Sequence, residues 1–94
     1  MLKGITKSGF EYEITDEVLD DWELFEVFAK IDRGNMTYII EAAKMLLKDE
    51  QLNRLKEHVK QQHGKVLASA MIEEIAEIIQ TNDDTKNSLS SPTL

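Results

Sequence analysis

The spacing of apolar residues changes along the chain, and the changes divide it into elements. From Phe10 to Thr15 apolar and polar residues alternate, the period of a strand with one buried face. Leu2 to Lys7 alternates less regularly, and Ser8-Gly9 between the runs predicts a two-residue turn. The pair reads as a β-hairpin over 1–15. Phe10, Tyr12 and Ile14 share its inner face, supported by Leu2 and Ile5, while Lys3 and Lys7 face Glu11 and Glu13 across the ladder. A lone hairpin is barely stable in water, so this one must pack on helices or on another chain.

Beyond the hairpin the period lengthens to three and four. Thr15 and Asp16 offer a cap to a short turn, Glu17-Val18-Leu19. The stretch from Asp20 to Ile31 then predicts a helix with two apolar rows. Trp22, Phe25 and Phe28 or Ala29 form one; Leu24, Val27, Phe28 and Ile31 form the other. Asp20 and Asp21 suit its amino end, and Gly34 suits a left-handed C-cap. Because large aromatics bury the most area, Trp22 is expected inside, between this helix and the last one. The surplus apolar positions Leu24, Val27, Ile31, Met36 and Ile40 are the candidate surface for a protein partner.

A second helix is predicted over 36–48, with Ile39, Ala43, Leu46 and Leu47 as its main row. Asp49 caps a third over 50–62, where Leu52, Leu55 and Val59 make a narrow stripe among charges, so this helix should be the most exposed. His63-Gly64 ends it. A fourth, over 67–80, carries Ala68, Met71, Ile72, Ile75, Ile78 and Ile79 on one side. The residues 82–94 are polar and aperiodic, which predicts a disordered tail. The expected fold is thus mainly α: one domain over 1–81, about four helices behind an N-terminal hairpin, then the tail. Its core is expected around Trp22, Phe25, Phe28, Ile39, Leu46, Leu55, Met71 and Ile75.

Composition narrows the function. A formal charge of −7 on 94 residues argues against nucleic acid or an anionic membrane as partner. Lys44, Lys48, Arg54, Lys56, Lys60 and Lys65 are interleaved with Asp49, Glu50 and Glu57, as on a solvated helix face. With no cysteine there is no disulfide, thiol nucleophile or cysteine-zinc site. Lys3, Lys7, Glu11 and Glu13 interrupt any signal-peptide hydrophobic region, so a soluble intracellular protein is expected. His58 and His63 read as surface histidines without converging ligands, and the four glycines are dispersed as turn residues. No serine has an oriented base, and no cofactor site is visible, so no enzyme activity is expected.

Several segments, in order, resemble a known family. They are Asp20-Asp21-Trp22-Glu23-Leu24-Phe25-Glu26, Leu52-Asn53-Arg54-Leu55-Lys56, Gly64-Lys65-Val66, Met71-Ile72-Glu73-Glu74-Ile75-Ala76-Glu77-Ile78, and Lys86-Asn87-Ser88 with Ser90-Ser91-Pro92. Together they resemble the small tail assembly chaperones of long-tailed bacteriophages and prophages of Gram-positive hosts. The sequence departs from that pattern at Leu67, where the family has a cap-type residue. The resemblance implies a protein of the host cytoplasm, absent from the mature virion. It would bind the tape measure protein and help recruit tail tube subunits. An apolar surface for such a client should be partly covered by self-association when the client is absent. Two other classes stay open: a small structural virion protein of the tail or head–tail connector, and a prophage DNA-binding regulator.

Overall fold

The computed structural model describes the backbone of residues 1–90 and the side chains of residues 1–80. It is mostly helical, with a two-stranded antiparallel hairpin at its amino end. The strands are β1 (Leu2–Ile5) and β2 (Glu11–Ile14), and the helices are α1 (Asp16–Leu19), α2 (Trp22–Asp32), α3 (Tyr38–His63) and α4 (Ala68–Ser90). α4 therefore enters the segment 82–94 where a disordered tail is expected. Residues 91–94, and all side chains from 81 on, lie outside what is described.

The hairpin pairs Leu2 with Ile14, Lys3 with Glu13, Gly4 with Tyr12 and Ile5 with Glu11. Phe10, Tyr12 and Ile14 are buried, as their alternation predicts. The turn is longer than the expected two residues. Thr6 N–H donates to the Phe10 carbonyl at 2.9 Å, which leaves Lys7-Ser8-Gly9 as a three-residue connection. Gly9 closes it at φ 98°, the left-handed residue that such connections require. That register puts Leu2, Gly4 and Thr6 on the inner face and turns Ile5 outward, correcting its expected supporting role. Lys3 lies 3.9 Å from Glu13 as expected, but Lys7 sits in the turn and faces neither acid across the ladder. Gly4 is needed where it stands: a Cβ there would come within 2.5 Å of Tyr12 Cζ, in a ring that is itself buried.

Helix boundaries follow local chemistry. Thr15 Oγ1 accepts from Val18 N–H at 3.3 Å and starts α1; Asp21 accepts from Glu23 N–H at 2.9 Å and starts α2. At the end of α2, Gly34 N–H bonds the Ile31 carbonyl and Asn35 N–H bonds that of Lys30, with Gly34 at φ 99°. This is the paired 5→2 and 6→1 ending of a glycine-terminated helix.

α3 contains the two central helices expected from sequence, broken at Lys48, whose backbone adopts φ 61° and ψ −178°. Before the break Ile39, Ala42, Ala43, Leu46 and Leu47 are buried; after it Leu52, Leu55 and Val59 are. At about 100° per residue these two sets would lie roughly 180° apart on an unbroken helix. The extended residue resets the phase, so both arms face one core. α3 packs against α1, α2, α4 and β2. From α4, Ile75 and Ile78 are buried and Met71 and Ile79 half-buried, while Ile72 is exposed.

Two substitutions test this account. Gly4→Ala should lower stability by about 1–3 kcal/mol by forcing the buried Tyr12 ring aside. Lys48→Gly should raise it by about 1 kcal/mol, because that backbone region strains any residue with a Cβ. Denaturant titration measures both, and an unchanged midpoint for Lys48→Gly would show that the break carries no strain.

Candidate functional site

α2 presents two apolar rows, as expected, but the structure exchanges their roles. Leu24, Val27 and Phe28 are buried and Ile31 is half-buried. Trp22 is 69% exposed and Phe25 41% exposed. The expected core thus loses Trp22 and Phe25, and the expected partner surface loses Leu24 and Val27. The reason is angular. At about 100° per residue, Leu24, Val27, Phe28 and Ile31 form a continuous stripe about 100° wide, enough to cover one side of a helix. Trp22 and Phe25 lie on the opposite side with only Ala29 to continue their row. Ring size favoured them; stripe width decided against them.

Of the remaining expected partner residues, Met36 is 47% and Ile40 61% exposed, at the other end of α2 in the link to α3 and its first turn. Of the remaining expected core, Phe28, Ile39, Leu46, Leu55 and Ile75 are buried and Met71 is half-buried.

The two exposed rings touch. Their centroids are 5.7 Å apart and their planes tilted by 37°. From Ser8 to Ala29 the chain has no Lys or Arg but carries Glu11, Glu13, Asp16, Glu17, Asp20, Asp21, Glu23 and Glu26, all exposed. The next cation, Lys30, lies with Nζ 4.7 Å from the centre of the Tyr38 ring. Along the chain, the charged residues nearest Trp22 and Phe25 are therefore all acidic: Asp20, Asp21, Glu23 and Glu26.

A second constellation lies at the hairpin tip. Ser8 Oγ is 2.9 Å from His58 Nε2 and 2.6 Å from Glu74 Oε2. The hydroxyl has one proton, so it donates to the carboxylate and accepts from His58 Nε2–H. A nucleophilic triad needs the imidazole between hydroxyl and acid; here the hydroxyl lies between imidazole and acid. What the arrangement does is fasten the turn. Lys7 N–H donates to Glu77 Oε2 at 2.9 Å, and Gln62 Nε2 donates to the Ser8 carbonyl at 3.2 Å. His58 is half-buried against the Phe10 ring, 5.7 Å between centroids, which corrects its expected surface position; His63 is exposed. Nothing in the sequence relates Ser8 to a histidine fifty positions away.

Across the sheet, Gln51 covers the free edge of β2. Its amide accepts from Glu13 N–H and donates to the Glu13 carbonyl, both at 2.8 Å, and donates to the Leu47 carbonyl at 3.2 Å. Among the described residues no group of three or more His, Asp or Glu side chains is placed to hold a metal ion, and no helix is long and apolar enough to cross a membrane.

The chain matches no protein-family model, no curated protein and no solved structure. Among the exposed apolar side chains of the described residues, Trp22 and Phe25 are the aromatic ones, and they touch one another.

With its ring outside the core, Trp22→Ala should change stability by less than about 0.5 kcal/mol, as for ordinary surface positions. Leu24→Ala should cost about 2–5 kcal/mol. Thermal melts of the two variants distinguish them, and a large loss for Trp22→Ala would return that ring to the core.

Proposed function

We propose that this protein is a non-enzymatic tail assembly chaperone of a long-tailed phage or prophage, which holds the tape measure protein and helps recruit tail tube subunits in the host cytoplasm. The observation that carries the reading is the exposure of Trp22, Phe25, Met36 and Ile40 on a chain of net charge −7. A long helical client with apolar stripes needs a holder with uncovered apolar side chains and a surface that keeps the complex dissolved. The segments that resemble such chaperones, Asp20 to Glu26 around Trp22 among them, support the tape measure protein as that client.

The test is co-expression with overlapping tape measure fragments, followed by pull-down. Wild type should retain at least one fragment. Trp22→Ala with Phe25→Ala, or Ile40→Asp, should abolish retention while circular dichroism and the melt stay unchanged, because a charge or a truncation at a desolvated contact is costly. Val27→Asp is the wrong probe, since Val27 is buried and its substitution should unfold the domain. A wild-type protein that retains no fragment overturns the reading. So does its presence at fixed copy number in purified particles, which would make it a structural virion component.

A further inference from the structure

The acidic surrounding of the Trp22–Phe25 pair says what can cover it. Asp20, Glu23 and Glu26 are exposed, and Lys30 is turned toward Tyr38. A second copy of this chain, docked symmetrically, would bring the same carboxylates against these and repel. Nucleic acid and anionic lipid are excluded by the same sign of charge. A cation flanking an apolar side chain is favoured twice, by the carboxylates and by the faces of the two rings.

We propose that the Trp22–Phe25 pair, with Asp20, Glu23 and Glu26 beside it, is a docking site for a cationic protein segment that places one large apolar side chain between lysines or arginines. The apolar anchor covers the rings and the flanking cations meet the carboxylates. This names the chemistry of the client segment, and it rests on the proposed function only for which protein carries that segment.

Trp22 is the sole tryptophan, so its emission reports on the site directly. The probes are two synthetic peptides with the same leucines at helical spacing, one with lysine and one with glutamate at every polar position. The lysine peptide should shift Trp22 emission to the blue, and the glutamate peptide should not. Affinity should fall as salt is raised from about 50 to 300 mM, since exposed charges are screened within a Debye length. Phe25→Ala, and separately the triple variant Asp20→Asn, Glu23→Gln, Glu26→Gln, should each weaken binding by about tenfold or more. Asp21 is left intact because it caps α2. Glu57→Gln with Glu73→Gln, which removes as many exposed carboxylates less one from elsewhere, should leave affinity within about twofold. The proposal is overturned if the lysine peptide binds without moving Trp22 emission, or if Phe25→Ala binds it as well as wild type. Equal binding of the glutamate peptide overturns it too. So does emission that shifts with protein concentration alone, which assigns the rings to a second copy, or with phosphatidylcholine vesicles instead of the peptide, which assigns them to a lipid surface. Loss of peptide binding with retained tape measure fragments rejects this site but not the chaperone reading; the reverse rejects that reading alone.

Discussion

The bend in α3 is the constraint on which the rest of the domain depends. α1, α2, α4 and β2 all pack on this helix, and they can share one core only because its two arms present their apolar sides in a common direction. On a straight rod the stripe of Ile39 to Leu47 and the stripe of Leu52 to Val59 would back onto opposite solvents. Neither α2 nor α4 alone could then cover both. The break at Lys48 costs backbone strain of about 1–3 kcal/mol, and it is held by the burial of Leu46 and Leu47 on one side and Leu52 and Leu55 on the other. Burying any one of those leucines is worth about 1.5–3 kcal/mol, so the geometry wins over the strain with a margin.

The hairpin depends on the same bend. Gln51 is in the first turn after the break, and it bonds both Glu13 on β2 and the Leu47 carbonyl just before Lys48. A single side chain thus satisfies the free edge of the sheet and a carbonyl at the interruption. At the other end of the hairpin, Ser8 bonds a histidine of α3 and a glutamate of α4. Two strands that would not hold together in water are fixed at both ends by polar contacts and along their length by Phe10, Tyr12 and Ile14.

What was legible in the sequence was whatever depends on neighbours a few positions apart. Alternation located β2 and its inner face, and periods of three and four located the helices. Asp49, read as a helix cap, separated the two arms of α3 within one residue of the actual break. The glycine ending of α2 and the caps at Thr15 and Asp21 were legible for the same reason. The side of α2 that faces the core was not. Both rows have helical spacing, and the choice between them depends on the shape of the α3 surface opposite. Weighting by ring size pointed to Trp22, whereas the continuous stripe of Leu24, Val27, Phe28 and Ile31 is the side turned inward. The candidate site was misplaced by that single exchange, with Met36 and Ile40 exposed as expected. The Ser8–His58–Glu74 contact was illegible altogether, because it joins residues far apart in sequence by hydrogen bonds that leave no periodic trace.

The exchange of rows changes the physical problem that the surface poses. Two aromatic rings on the outside of a small domain are an aggregation hazard unless something keeps copies apart. Asp20, Asp21, Glu23 and Glu26 oppose such association by charge, since a symmetric encounter that pairs ring with ring also brings carboxylate to carboxylate. The same charges do not hinder a partner of opposite sign; they draw it in and raise its encounter rate. Under the proposed docking, repulsion between copies and selectivity for a cationic segment would be one property of this face, set by where the carboxylates stand relative to the rings. Removing the acids would release both restraints together, leaving rings that accept another copy as readily as a client. A surface built in this way would favour a cationic client over a second copy, which is what the proposed holding role requires.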